Sequence, residues 1–190
     1  MLMDRIIGAF AFRRAVYAEV EKDTAFSTTA WILVVVVAFI NQLGAAASSN
    51  LVGWLLGAVV GTVFAVIGFA LGAFVISLVG RAAFNADVSF DEMVRTLGLA
   101  YVWQVVGVIG IVGVLSPALA CLTGPALLVA ALLGLAAWLV ATKEALDLEW
   151  LQTIVTVIIG WLVVAAIMVA SGIVLGLLGL GAAGVAGLLG

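Results

Sequence analysis

The sequence of 190 residues contains no histidine and a single cysteine, Cys121. The absence of histidine excludes a Ser–His catalytic dyad and any histidine-ligated zinc or haem site. One cysteine forms no intrachain disulfide and holds no iron–sulfur cluster. The carboxylates show no repeated pattern of the kind that holds Mg²⁺. We therefore predict a protein that is not an enzyme, with no catalytic residues, no cofactor and no metal.

Charge is also scarce. Charged residues make up 9% of the chain and hydrophobic residues 67%, and the mean hydropathy is +1.43. So few charges cannot cover the surface of a water-soluble domain of this size, so the lipid bilayer is the expected solvent. Backbone groups in lipid must be hydrogen-bonded internally, which predicts an all-α fold. A net charge of −3 gives no basis for nucleic-acid binding, and we expect none.

The charges fall in three short clusters, at 4–23, 81–95 and 143–149, and leave uncharged runs at 24–80, 96–142 and 150–190. A helix needs about 20 apolar residues to cross a bilayer. The first two runs are each long enough for two spans, and the third for one span and a tail. We predict a polytopic membrane helix bundle of five transmembrane helices, with spans near 27–47, 51–79, 97–115, 126–141 and 151–175. A Gly-rich apolar tail follows at 176–190.

The connectors between these spans alternate in charge. Every Lys and Arg lies before span 1, between spans 2 and 3, or between spans 4 and 5. Positive charge marks the cytoplasmic side. We therefore predict a cell (inner) membrane protein with a cytoplasmic N-terminus and with its C-terminus and tail outside. Pro117 and Pro125 bracket the connector at 116–125, which is predicted to be an outer loop.

Residues 1–25 predict a cytoplasmic amphipathic helix that lies in the membrane interface. Leu2, Ile6, Phe10 and Tyr17 gather on one side of a helical wheel, opposite the charged residues. A capping box formed by Ser89 and Glu92 predicts the start of another interfacial helix, which leads into span 3. On that second helix Asp91 and Arg95 are predicted to point away from the apolar side.

Small residues four apart form the main packing signal. They create a groove that lets another helix approach closely, within this chain or in a homo-oligomer. Gln104 is the amide expected to hydrogen-bond between helices in span 3. The predicted helix-packing residues are therefore Gly53, Gly57, Gly61, Gly68, Gly72 and Gln104. The Gly-x-Gly-x-x-Gly at 179–184 follows a membrane helix rather than a strand, so we do not assign it as a nucleotide-binding motif.

The charged residues predicted on the inner face form the candidate surface for a protein partner or a lipid headgroup. They are Arg13, Arg14, Asp91, Arg95, Lys143 and Asp147.

Three stretches carry a family resemblance: 4–23, which begins DRIIG, SFDEMVRTLGLA at 89–100, and WLVATKEALD at 138–147. With these the chain resembles the prokaryotic branch of the Yip family, multi-spanning proteins whose eukaryotic members interact with Rab-type GTPases. The resemblance implies five spans, a cytoplasmic N-terminus and a non-enzymatic protein that works through contacts with other proteins or with lipid. The Asp-Leu-Tyr-Gly-Pro motif of the eukaryotic relatives is absent, so a Rab-binding role is not implied.

Three functions stay open on these grounds. The first is a membrane scaffold or partner-binding protein, whose partners are the lipid bilayer and other membrane proteins or further copies of the chain. The second is an accessory subunit of a larger bioenergetic or photosynthetic membrane complex. The third is a small permease or channel, which is disfavoured because the spans carry no ionisable groups for ion coupling.

Overall fold

The computed structural model describes residues 1–48 and 50–178, and within them it contains helices and no strand. Five helical segments are long and apolar enough to cross a membrane, which confirms the predicted all-α bundle. A 3₁₀ segment, Tyr101–Ile109, joins α5 to α6, and these three pieces together form the third span. The α-helices are α1 (Leu2–Phe10), α2 (Arg14–Lys22), α3 (Phe26–Ala45), α4 (Leu51–Phe84), α5 (Phe90–Ala100), α6 (Gly110–Leu115), α7 (Pro117–Leu146) and α8 (Trp150–Leu177).

The N-terminal region forms two helices rather than the single helix predicted for residues 1–25. The helical conformation is interrupted at Phe12, which has a positive φ of 53°. The two helices then pack on each other so closely that a Cβ on Gly8 would lie 2.5 Å from Cγ1 of Val16. Amphipathic periodicity alone does not reveal such a break, because both helices continue the same apolar pattern.

The outer loop predicted at 116–125 is replaced by helix. Helix α7 begins at Pro117 and continues through Pro125 to Leu146. Proline is well suited to the first turn of a helix, where its missing N–H costs nothing. Pro125 stands in the helix interior, which membrane helices accommodate when neighbouring groups take up the freed backbone carbonyl. Most of the predicted tail at 176–190, including its glycine motif, lies outside the described residues.

The middle of the bundle is held by an aromatic cluster centred on Phe69 of α4, which is 1% exposed. The rings of Trp31, Tyr101 and Trp138 meet that of Phe69 edge-on, with centroid separations of 5.7, 5.3 and 6.1 Å. Trp161 of α8 meets Trp138 in the same way at 6.3 Å. Edge-on aromatic pairs add about 0.5–1.5 kcal/mol each beyond the area they bury. The cluster therefore links α3, α4, α7 and α8 to the 3₁₀ segment.

The glycines of α4 differ in what they face. A Cβ on Gly61 would meet Oε1 of Gln42 at 2.5 Å, one on Gly68 would meet Ile167 at 3.3 Å, and one on Gly72 would meet Val164 at 2.7 Å. Gly57 is buried. The atoms nearest to Gly53 belong to Asn50, whose side chain caps the same helix. Three of the five predicted packing glycines thus lie directly against a neighbouring helix.

The closest helix approach involves glycines outside that pattern. Gly44 of α3 lies against Gly107 and Gly110, at the end of the 3₁₀ segment and the start of α6. A Cβ on Gly44 would overlap the carbonyl oxygen of Gly107 and would lie 2.9 Å from Cα of Val108. At the same crossing, Nδ2 of Asn41 donates a hydrogen bond of 2.7 Å to the backbone oxygen of Gln104. The interhelical bond predicted for Gln104 is thus made by its backbone.

Candidate functional site

The three stretches that carry the family resemblance meet at one end of the bundle. Helix α2 packs against both α5 and α7, and α5 packs against α7. Segments far apart in the sequence therefore build one surface. We call this region the charged end and define it as residues 2–23, 89–95 and 143–149.

Arg95 is buried in the charged end and joins its segments through hydrogen bonds. It is 4% exposed, and its Nε donates hydrogen bonds of 3.0 Å to the backbone oxygens of both Val20 and Glu21. Its Nη1 donates to Oγ of Ser27 at 3.2 Å. A cation at the last carbonyls of α2 is favourable because those groups have no partner within the helix and carry partial negative charge. Arg95 thus joins α5 to α2 and α3.

This position corrects the prediction that Arg95 points away from the bundle and is available to a partner. Residues 93–100 are all buried, because α5 is packed against α2, α3, α4 and α7. Helix α5 has no solvent-facing side along this stretch. A helical wheel presupposes such a side, so its prediction for Arg95 is wrong.

Arg5 holds the two N-terminal helices together. Its Nη2 lies 2.5 Å from Oε1 of Glu19 and 2.9 Å from Oδ2 of Asp23, and its guanidinium stacks over the ring of Phe26 at 5.0 Å. The hydrogen bond with Glu19 raises the pKa of Arg5 above its ordinary value. The negative charges of Glu19 and Asp23 are therefore paired with Arg5 within the fold.

A second set of contacts joins α2 to the end of α7 and the start of α8. Nε of Arg14 pairs with Oε1 of Glu144 at 2.9 Å, and its guanidinium lies 5.7 Å from the centre of the Trp150 ring. Nζ of Lys143 lies over the same ring at 5.2 Å and donates a hydrogen bond of 2.6 Å to the backbone oxygen of Leu148. With Arg95, three of the six predicted contact residues are therefore engaged within the chain.

Three of the predicted contact residues are both exposed and unpaired. Arg13 precedes α2, Asp91 lies in the first turn of α5, and Asp147 ends α7 with a positive φ of 49°. No described residue forms an ion pair or a side-chain hydrogen bond with any of them. They are the part of the predicted surface that is open to another molecule.

The exposed charge near these residues is mainly negative. Partial burial raises the pKa of the Glu21 carboxyl, and repulsion from Asp147 and Glu92 adds to this shift. The repulsive contribution shows that these three carboxylates lie near one another, although burial is the larger cause of the shift and Lys22 and Arg95 oppose it. This part of the charged end therefore suits a partner that brings positive charge.

A second feature lies within the spans. A cavity of about 290 Å³ opens between α3, the 3₁₀ segment, α7 and α8. Among the described residues, no Lys, Arg or carboxylate lines it. Its walls include Asn41, Tyr101, Gln104, Trp138, Trp161 and Met168.

The family model described as Yip1 domain matches residues 7–173, from α1 to α8. The chain belongs to the Yip1 domain family. The family match agrees with the resemblance of the three stretches. Together with the five apolar helices, it identifies this Yip1 domain protein as a multi-pass membrane protein. Comparison with curated proteins and with solved structures finds no match to this chain.

The predicted capping box of this Yip1 domain is confirmed. The backbone N–H of Glu92 donates to Oγ of Ser89 at 3.2 Å, and the N–H of Ser89 donates to Oε2 of Glu92 at 2.6 Å. These bonds fix the start of α5 and hence the position of Asp91. Among the described residues, no group of three or more Cys, Asp or Glu is placed to hold a metal.

Sequence reasoning missed the cavity of the Yip1 domain. Trp138 and Trp161 carry the only local signal, since tryptophan within a span is typical of interface anchors and helix packing alike. Which tryptophans share a wall depends on the order of the helices in the bundle. Spacing along the chain does not contain that information.

Proposed function

We propose that this Yip1 domain is a non-enzymatic membrane scaffold that binds another membrane protein through its charged end. One observation carries the proposal. Arg5, Arg14 and Arg95 form ion pairs or hydrogen bonds within the chain, and these bonds hold the charged end together. Arg13, Asp91 and Asp147 lie exposed on the same surface and are free to contact a partner.

A rigid platform favours binding because little conformational entropy remains to be lost when a partner docks. Exposed charges contribute mainly to the choice of partner and to the rate of encounter. The excess of carboxylates around Glu21 favours a partner whose membrane-proximal segment is basic. Family membership supports a role of this kind only at the level of a Yip-type membrane protein.

The proposal is tested by reversing the two exposed acids together, with Asp91→Arg and Asp147→Arg in one chain. We expect the double variant to lose its partner, because attraction to a basic segment becomes repulsion. The measurement is extraction from the native membrane in mild detergent, a native gel, and mass spectrometry of co-migrating proteins. Asp87→Arg is the matched control, since Asp87 is an exposed acid on the link before α5 and lies outside the charged end.

The outcomes separate two of the three functions. Loss of one co-migrating protein in the double variant but not in Asp87→Arg supports the scaffold. Stoichiometric co-migration with a large complex in all three proteins contradicts it and favours an accessory subunit. The thermal unfolding curve of the double variant must match that of the unaltered chain, so that lost binding is not lost folding.

We further propose that the charged end and the N-terminus face the cytoplasm at the inner membrane, because six of the seven Lys and Arg lie in the charged end and the seventh, Arg81, lies in the last turn of α4. Cys121, exposed near the start of α7, then lies near the outer surface. A membrane-impermeant maleimide should label it in intact spheroplasts. In a Cys121→Ser background, Ala83→Cys at the end of α4 should be labelled only after lysis. The opposite pattern would contradict this orientation.

A further inference from the structure

The cavity between α7, α8 and the 3₁₀ segment excludes charged ligands. The described residues of its walls are apolar or aromatic apart from Asn41 and Gln104 and the hydroxyl of Tyr101, and none of them carries a charge. An ion taken from water into such a wall would have no counter-charge to offset its lost hydration. The occupant must therefore be neutral and mostly hydrocarbon.

Its walls also carry polar groups without partners. Trp138 is 3% exposed, and its indole Nε1 is buried with no hydrogen-bond partner in the part of the chain that the structure describes. The hydroxyl of Tyr101, 7% exposed, has no partner among the described residues either. Buried polar groups are ordinarily hydrogen-bonded, and in lipid no bulk water supplies the bond. Two cavity-lining residues thus each have a donor without a partner among the described residues, in a wall that is mainly apolar, which indicates an occupant that brings an acceptor oxygen.

The opening of the cavity points to its source. Ala131 and Ala165 line the cavity and are exposed on the surface of the bundle. Ala131 lies at the middle of α7 and Ala165 near the middle of α8. In a spanning helix these positions lie in the hydrocarbon core of the bilayer. A ligand reaches the cavity sideways from lipid.

We propose that this cavity binds the hydrocarbon chain of a neutral lipid whose hydroxyl or carbonyl oxygen accepts a hydrogen bond from the Tyr101 hydroxyl. A volume of about 290 Å³ is at the lower end of the range for small-molecule sites. It holds one chain rather than a whole phospholipid. The inference rests on the spans and is independent of the charged end.

The test uses the full chain in phosphatidylcholine nanodiscs and 11-bromoundecan-1-ol as the probe. Bromine quenches tryptophan fluorescence at contact, and Trp138 and Trp161 are in the cavity wall. Unaltered protein should show saturable quenching above the linear background that arises from probe dissolved in the bilayer. 1-Bromoundecane, which lacks the oxygen, should show the linear background alone or bind about fivefold more weakly, as expected for one lost hydrogen bond.

Two matched pairs of variants locate the site. Ala165→Phe should remove the saturable component, whereas Ala166→Phe, its exposed neighbour outside the cavity wall, should retain it. Tyr101→Phe should weaken binding about fivefold. Tyr17→Phe should not, because that hydroxyl donates to the backbone oxygen of Ala9 at the charged end.

Purely linear quenching in the unaltered protein would overturn the proposal. So would saturable quenching that survives in Ala165→Phe. Equal affinity of the alcohol for the unaltered protein and for Tyr101→Phe would overturn the assigned hydrogen bond. Should Ala165→Phe fail to fold, the Tyr101→Phe comparison and the bromoalkane still decide the matter.

Discussion

Gly44→Ala is expected to destabilise the bundle by about 3 kcal/mol or more, one of the largest losses for any single methyl group added to this chain. The added Cβ would overlap the carbonyl oxygen of Gly107 and lie 2.8 Å from its carbonyl carbon. Those atoms are backbone, so no side-chain rotation relieves the overlap. Helix α3 must instead move away from the 3₁₀ segment, which also strains the Asn41–Gln104 hydrogen bond.

The measurement is thermal unfolding in mild detergent followed by circular dichroism, together with the elution profile on size exclusion. Gly172→Ala is the matched control, because nothing lies within 4 Å of a Cβ at that position of α8. Alanine is the better helix former by up to about 1 kcal/mol, so the control should be unchanged or slightly more stable. Equal stability of the two variants would refute the close crossing of α3 and the 3₁₀ segment.

Arg95→Met is expected to cost about 3 kcal/mol or more and to release the N-terminal helices from the bundle. The substitution keeps an unbranched apolar stem but removes every donor to Val20, Glu21 and Ser27. Hydrogen bonds from a charged group are worth about 1.5–3 kcal/mol each, and buried carbonyls left without donors add to the loss. Arg95→Lys should recover only part of it, because lysine lacks the planar fork that serves several oxygens at once.

Release of the helices is measured by limited proteolysis at the short link between α2 and α3, alongside the unfolding curve. Arg81→Met serves as the control. Arg81 is exposed at the end of α4 and makes one hydrogen bond, from Nε to the backbone oxygen of Ser77 at 3.3 Å. Its loss should change stability by less than about 0.5 kcal/mol. An Arg95→Met protein as stable and protease-resistant as Arg81→Met would contradict the conclusion that Arg95 holds α2 against the bundle.

The spans could be predicted because crossing a bilayer depends on local properties, length and apolarity, which uncharged runs display directly. The start of α5 could be predicted for a similar reason, since a capping box involves residues only three apart. The break at Phe12 could not, because a positive φ at a non-glycine residue leaves no periodic trace.

Contacts between helices could not be predicted from local sequence properties in this way. Gly44 stands in no small-residue repeat with its partner Gly107, since the two belong to different helical segments. The regular glycines of α4 drew attention to a different pair of helices. The prediction for Arg95 is wrong for the same reason, because a helical wheel ranks directions around one helix and does not show how many neighbouring helices enclose it.

The bond between Arg95 and α2 has a consequence for how the protein is made. The backbone oxygen of Val20 leaves the ribosome 75 residues ahead of the guanidinium that binds it. At roughly 5–20 residues per second, that interval lasts about 4–15 s. During this time the first two spans are synthesised, while α2 still lacks its hydrogen bonds from Arg95. The N-terminal helices are thus translated before the third span and cannot take their final place until that span has begun to emerge.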